Sequence, residues 1–152
     1  MKRARAGSTG MRKIGTLATP HCSANPSANA VGSYRRVFDV PAAWAGRRSV
    51  LTFDGVSSAF YVWVNGRKVG YAEDSRLPSD FDVTDYVVPG RNVLAVEVYR
   101  YSDGSYLECQ DFWRLSGIFR DVALWSTERV HVRDVRIVTD LDAAHRDATL
   151  DV

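Results

Sequence analysis

The stretch Ala59-Phe60-Tyr61-Val62-Trp63-Val64-Asn65-Gly66-Arg67-Lys68-Val69-Gly70-Tyr71 decides the fold class. Two apolar runs, Ala59–Val64 and Arg67–Tyr71, flank the dipeptide Asn65-Gly66. A two-residue type I′ turn needs positive φ at both central positions. Asn and Gly accept that at least steric cost, so the stretch predicts a β-hairpin. Working outward, the same theme repeats at spacings of about ten residues. Tyr34–Val40 is a predicted strand ended by Pro41, and Ser49–Phe53 one ended by Asp54-Gly55. Phe81–Val83 follows Pro78, and Asp82–Val88 reads as one short helical turn closed by Pro89-Gly90. Over Asn92–Tyr99, Leu94, Val96 and Val98 fall on one face and Ala95 and Glu97 on the other, the period of a half-buried strand. Ile118–Trp125, Val130–Val138 and Ala148–Val152 complete the set. No segment has the pattern of an amphipathic helix of about twelve residues. Short strands joined by Gly, Pro, Asn and Asp turns predict an all-β sandwich or jelly roll, a fold in which function sits in the loops.

Composition divides the chain. Its 152 residues carry a formal charge of +2, from 20 Lys+Arg and 18 Asp+Glu. Residues 1–33 hold Lys2, Arg3, Arg5, Arg12 and Lys13 and no acid, a charge of +5. Residues 34–152 hold 15 basic and 18 acidic side chains, a charge of −3, and all 17 aromatic residues. The first part reads as a disordered or non-homologous leader. The second, 119 residues long, fits one ordinary domain. A (β/α) barrel of about 250 residues cannot fit. No stretch approaches the ~18 consecutive apolar residues of a membrane span. The mildly acidic body argues against general binding to nucleic-acid phosphates. The leader has no apolar core of a secretory signal, its best run being Thr16-Leu17-Ala18, although its basic, Ser-rich, acid-free composition overlaps that of organellar transit peptides. Cys22 and Cys109 form no C-x-x-C pair and allow at most one bridge, which points to a reducing compartment and a cytoplasmic location.

One connection stands out. Arg100–Gly117 exceeds the ~12–15 residues at which structureless loops become uncommon and often functional. It holds Arg100, Tyr101, Asp103, Tyr106, Glu108, Gln110, Asp111, Phe112, Trp113 and Arg114. Flat rings beside carboxylates and amides suit a sugar, whose axial C–H groups pack on rings and whose hydroxyls take bidentate partners. The same inventory suits a protein interface. Trp113 also fits a plug over the sheet end, and Asp111 an i, i+3 pair with Arg114. Glu108 and Asp111 are three apart, but glycoside hydrolysis needs two carboxylates at a fixed separation across the bond, which spacing within one loop does not establish. No G-x-S-x-G, H-E-x-x-H or Gly-rich phosphate loop occurs. His21, Cys22, His131 and His145 read as solvated or structural. Ser126–Glu128 is a polar boundary, and the 27 residues after Trp125 are too few to fold alone. They read as the opening strands of a second domain, or alternatively as a last strand pair of the first.

Several of these runs resemble the sugar-binding jelly-roll domain of the large β-galactosidases, in the family 2 glycoside hydrolases. The runs are Phe53-Asp54-Gly55-Val56-Ser57-Ser58-Ala59-Phe60, Val64-Asn65-Gly66, Asp74-Ser75-Arg76-Leu77-Pro78-Ser79, and Ser102-Asp103-Gly104-Ser105-Tyr106-Leu107-Glu108 with Gln110-Asp111-Phe112-Trp113-Arg114. Ser116-Gly117-Ile118-Phe119-Arg120-Asp121-Val122 continues the match. The resemblance implies that Asp111 reaches a neighbouring barrel's active site, contacts galactose and binds a sodium ion there. It places Trp113 beside it as a second substrate contact, and Arg76, Asp103 and Arg120 in loop and strand architecture. The catalytic glutamates and magnesium ligands would belong to the barrel, so this chain holds no catalytic residue. The implied division is a leader over 1–33, an N-terminally incomplete jelly roll over 34–126, and the start of an immunoglobulin-like sandwich over 127–152. The implied function is that of a fragment of a β-galactosidase, inactive alone, with Na+ and Mg2+ as the parent's cofactors. Its partners would be the galactoside, the remaining domains and further copies in a homo-oligomer, with no nucleic acid or membrane. The alternative is a stand-alone carbohydrate-binding or protein-interaction module. The family's substrate-contacting asparagine has no match here, because Asn25 and Asn29 stand in a different context.

Overall fold

A computed structural model describes residues 11–13, 29–108 and 115–152. The elements in chain order are β1 (Met11–Lys13), β2 (Val31–Val40), a 3-10 turn (Ala42–Trp44), β3 (Arg48–Phe53), β4 (Val56–Ser57), β5 (Ala59–Val64), β6 (Arg67–Glu73), β7 (Ser79–Asp82) and β8 (Gly90–Tyr99). A short helix α1 (Gly104–Leu107) follows, then β9 (Gly117–Ile118), β10 (Val122–Thr127), β11 (Val138–Leu141) and β12 (Ala148–Asp151). Two four-stranded antiparallel sheets, ordered β1-β10-β3-β7 and β2-β8-β5-β6, share one core. The expected all-β sandwich is therefore present.

The decisive hairpin forms as its chemistry requires. Asn65 and Gly66 take φ of 52° and 79°, and β5 and β6 pair around them. The Asn65 side chain also reaches across, donating to Tyr86 O at 2.9 Å and Asn92 Oδ1 at 2.8 Å and accepting from Val93 N at 2.9 Å. Alternation then sorts the faces. Leu94, Val96 and Val98 of β8 are buried against Phe60, Val62 and Val64 of β5, and Leu51, Phe53, Val122 and Leu124 meet them from the other sheet. Phe53, Phe60 and Phe81 form the ring cluster between the sheets, with centroids 4.9–5.9 Å apart. Full burial of such a side chain contributes about 1.5–3 kcal/mol, so this interface holds the sandwich together.

The structure corrects three predicted elements. The strand expected over Ile118–Trp125 is two strands, β9 on β4 and β10 on β3. Between them two residues, Asp54 and Gly55, oppose three, Phe119–Asp121, an insertion of the bulge kind that a period-2 pattern cannot reveal. The strand expected over Val130–Val138 is absent up to Ile137. Its apolar side chains are exposed, Val130 by 94%, and among the described residues no neighbouring strand offers them a ladder or a buried face. Pairing begins only at Val138, where β11 meets β12, and that pair joins neither four-stranded sheet. The first long strand begins at Val31 rather than Tyr34, because Gly32 and Ser33 dilute an alternation that the backbone nevertheless continues. Met11–Lys13, too short to show a period, adds β1 to the edge of β10.

Candidate functional site

The long connection after β8 is described over 100–108 and 115–117. Asp111 and Trp113, the site residues chosen from sequence, lie outside the described residues, as do Cys109, Gln110, Phe112 and Arg114. The framework at both attachments of that segment is described in detail.

At its start, Asn29 acts as an added rung of the β2–β8 ladder. Its Nδ2 donates to Tyr101 O at 2.8 Å, its Oδ1 accepts from Tyr101 N at 3.0 Å, and Arg100 N donates to Ala30 O at 3.0 Å. Ser102 N then donates to Ser105 Oγ at 3.0 Å while Ser105 N donates to Ser102 O at 3.1 Å, which closes the turn into α1. The Asp103 carboxylate accepts from Gly104 N at 3.1 Å at the head of the helix. Ser58 Oγ donates to Ser102 Oγ at 3.1 Å, tying this turn to the beginning of β5.

Glu108 closes α1 and crosses to another loop. Its Oε1 accepts from Ser75 N at 2.8 Å and its Oε2 from Ser75 Oγ at 2.6 Å. Ser75 is buried, so these are charge-assisted bonds shielded from water. The loop carrying Ser75 is preset by Asp74, whose Oδ1 accepts from Arg76 N and Leu77 N at 3.0 and 3.1 Å, an Asx turn. Arg120 locks the far side, donating to Arg76 O at 2.9 Å and Asp54 O at 3.3 Å. The backbone at Gly55 packs directly beneath it. A Cβ there would lie 2.9 Å from Arg120 Cδ and from Phe119 Cζ, so only glycine fits without displacement. The architectural roles expected of Arg76, Asp103 and Arg120 match these contacts.

A recess of about 60 Å³ lies in this framework, bounded by Ser57, Ser58, Ser75, Ser105 and Glu108 among others. It is lined with hydroxyls but has room for only a few waters, well below the ~300–1,000 Å³ of ordinary ligand sites. Both Glu108 oxygens are engaged, so it offers no free carboxylate. Among the described residues no group of three or more His, Cys, Asp or Glu could hold a metal ion. The described residues of this connection therefore brace both attachments of segment 109–114 through backbone and side-chain hydrogen bonds. Sequence reasoning passed over Asn29 and gave Ser75 no role. Their partners lie 72 and 33 residues away, and no local spacing signals such contacts.

A two-sheet sandwich that braces the attachments of a long connection is a loop-presenting β-sandwich domain. Residues 15–128 match the sugar binding domain of glycosyl hydrolases family 2, and the chain belongs to that family. It is 53% identical over 127 residues to a β-galactosidase of Alteromonas mediterranea, covering 84% of this chain and 12% of that protein. It is 52% identical over 124 residues to a β-galactosidase of Priestia megaterium, covering 82% of this chain and 12% of that protein. Among solved structures, a β-glucuronidase from an uncultured Clostridium sp. aligns with a TM-score of 0.69 and 28% identity, over 80% of this chain and 23% of that one. The chain thus spans about an eighth of the length of the curated relatives it matches, 12% in each case.

Proposed function

We propose that the chain is the sugar-binding domain of a β-galactosidase, an enzyme that hydrolyses terminal non-reducing β-D-galactose residues in β-D-galactosides. The observation that carries this reading is the 52–53% identity to β-galactosidases over four-fifths of the chain. In this reading Asp111 contacts galactose hydroxyls and serves as one ligand of a sodium ion, a hard cation suited to carboxylate oxygen. Trp113 offers a ring to the sugar. The remaining ligands, the magnesium site and the catalytic glutamates come from a barrel domain, which the matched sequence does not include. The Asn29, Glu108 and Arg120 contacts support the reading, because a loop that must meet a second domain needs fixed attachments. Partners are the galactoside, the other domains of the enzyme and further copies in a homo-oligomer, in the cytoplasm.

Calorimetric titration of the chain with galactose, in sodium and in potassium buffers, tests the reading. Negligible binding of the monosaccharide in both is expected, since most sugar contacts come from the barrel. Sodium-dependent binding of galactose that Asp111→Ala abolishes would instead show a self-sufficient carbohydrate-binding module.

A further inference from the structure

The outer face of the β2-β8-β5-β6 sheet carries a group of aromatic rings. Alternation turns Phe60, Val62 and Val64 of β5 into the core and therefore Tyr61 and Trp63 outward. On β6, Tyr71 lies opposite Tyr61 and Lys68 opposite Trp63. On β8, Glu97 lies opposite Tyr61, Ala95 opposite Trp63 and Tyr99 opposite Ala59. The Tyr61 ring touches all three others, with centroids 4.7 Å from Tyr71 and 6.0 Å from both Trp63 and Tyr99. Four connected rings thus occupy a sheet face that ordinarily turns polar side chains to water. Tyr71 is 44% exposed, and Trp63 and Tyr99 are half-buried.

The rim of this patch carries both signs of charge: Glu73 and Glu97 at one end, Lys68 opposite Trp63 and the exposed Arg35 opposite Ala95 at the other. The Tyr71 hydroxyl donates to the Glu73 carboxylate, and Glu97 stands beside Tyr99. Burial and then Glu73 push the Tyr71 phenol up, and burial and then Glu97 do the same for Tyr99, so both keep their hydroxyl protons at neutral pH. Lys68 Nζ sits 4.1 Å from the Tyr61 centroid and supplies a donor at the opposite side. Ring faces carry negative potential, and the two carboxylates and two cations around them offer hydrogen-bond acceptors and donors. The charge complement is a surface of weakly positive C–H groups edged by hydroxyls, which is the face of a pyranose. Tyr and Trp also suit a protein interface, but a protein partner would bury Glu73, Glu97 and Lys68, residue types depleted from interface cores.

We propose that this face is a second carbohydrate-binding surface, taking a neutral oligosaccharide with its C–H faces on Tyr71, Trp63 and Tyr99 and its hydroxyls on Glu73 and Glu97. The surface is built from residues of β5, β6 and β8 and the loop reading rests on Asp111, so the two are tested separately. Titration of the chain with a β-1,4-linked galactotetraose, followed by calorimetry and tryptophan fluorescence, tests it. Saturable binding is expected with a Kd on the order of 1 mM, weakened about tenfold by Tyr71→Ala. Glu97→Gln, which keeps the side chain's size, weakens it as well, whereas exchange of sodium for potassium leaves it unchanged. No binding up to about 50 mM of sugar would overturn the proposal. So would binding that survives both Tyr71→Ala and Glu97→Gln. Self-association that Tyr71→Ala abolishes, without oligosaccharide binding, would assign the face to a protein contact and also overturn it.

Discussion

Both oxygens of Glu108 accept hydrogen bonds from Ser75, 33 residues away in sequence. A carboxylate that looks, in a linear reading, like half of an acidic pair with Asp111 is thereby committed to bracing two loops. Glu108→Ala leaves the buried Ser75 N–H without its acceptor, which costs about 1–3 kcal/mol. Urea unfolding of Glu108→Ala, Ser75→Ala and the double variant checks this, with the double costing clearly less than the sum of the singles. Asp82 offers a second residue-level test. Burial works to raise its pKa, but hydrogen bonds from Thr84 and the Arg48 guanidinium at 2.9 Å outweigh burial and hold it below the usual carboxylate range. With the folded pKa below the unfolded value of about 3.9, the unfolded chain takes up the proton first as pH falls. Asp82 therefore stabilises the fold above that value, and its contribution is lost as pH drops through the folded pKa. Melts at neutral pH and at about pH 3.5 should show the wild type losing more stability than Asp82→Asn, whose slope is flatter. At this scale the sequence pointed to Asp111 through a motif, but the contacts of Asn29 and Ser75 were illegible. They depend on which loops the fold brings together, not on neighbours in the chain.

Among the elements, the β5–β6 hairpin was the most legible, because Asn65-Gly66 specifies one turn type and the flanking runs specify one register. Asn65→Ala places a Cβ-bearing residue without turn chemistry at φ 52° and also removes three side-chain hydrogen bonds to Tyr86, Asn92 and Val93. The expected loss is about 2–4 kcal/mol, read as a lowered urea midpoint, with Asn65→Gly recovering only the backbone share. The run from Ile118 to Trp125 shows what periodicity misses. Its apolar spacing is that of a strand, yet the close approach of Gly55 to Phe119 and Arg120 breaks the ladder there. Val130–Ile137 shows the converse. Alternation marks a segment suited to a sheet, but a strand forms only where a partner strand is supplied.

For the whole molecule, residues 1–33 carry a charge of +5 and the remainder −3. The fold arranges the remainder as two sheets around one core, with a braced loop after β8. Fold class was legible because period-2 patterning and turn residues act locally. The composition of a site was not, because spacing within one loop does not set two carboxylates at a fixed separation across a bond. In the proposed reading this sandwich presents a loop to a second domain, and cleavage requires groups from that domain. An assay of the purified chain with a chromogenic β-galactoside tests it directly. No turnover above buffer is predicted. Turnover that co-purifies with the chain and persists in Asp111→Ala and Glu108→Ala would contradict it.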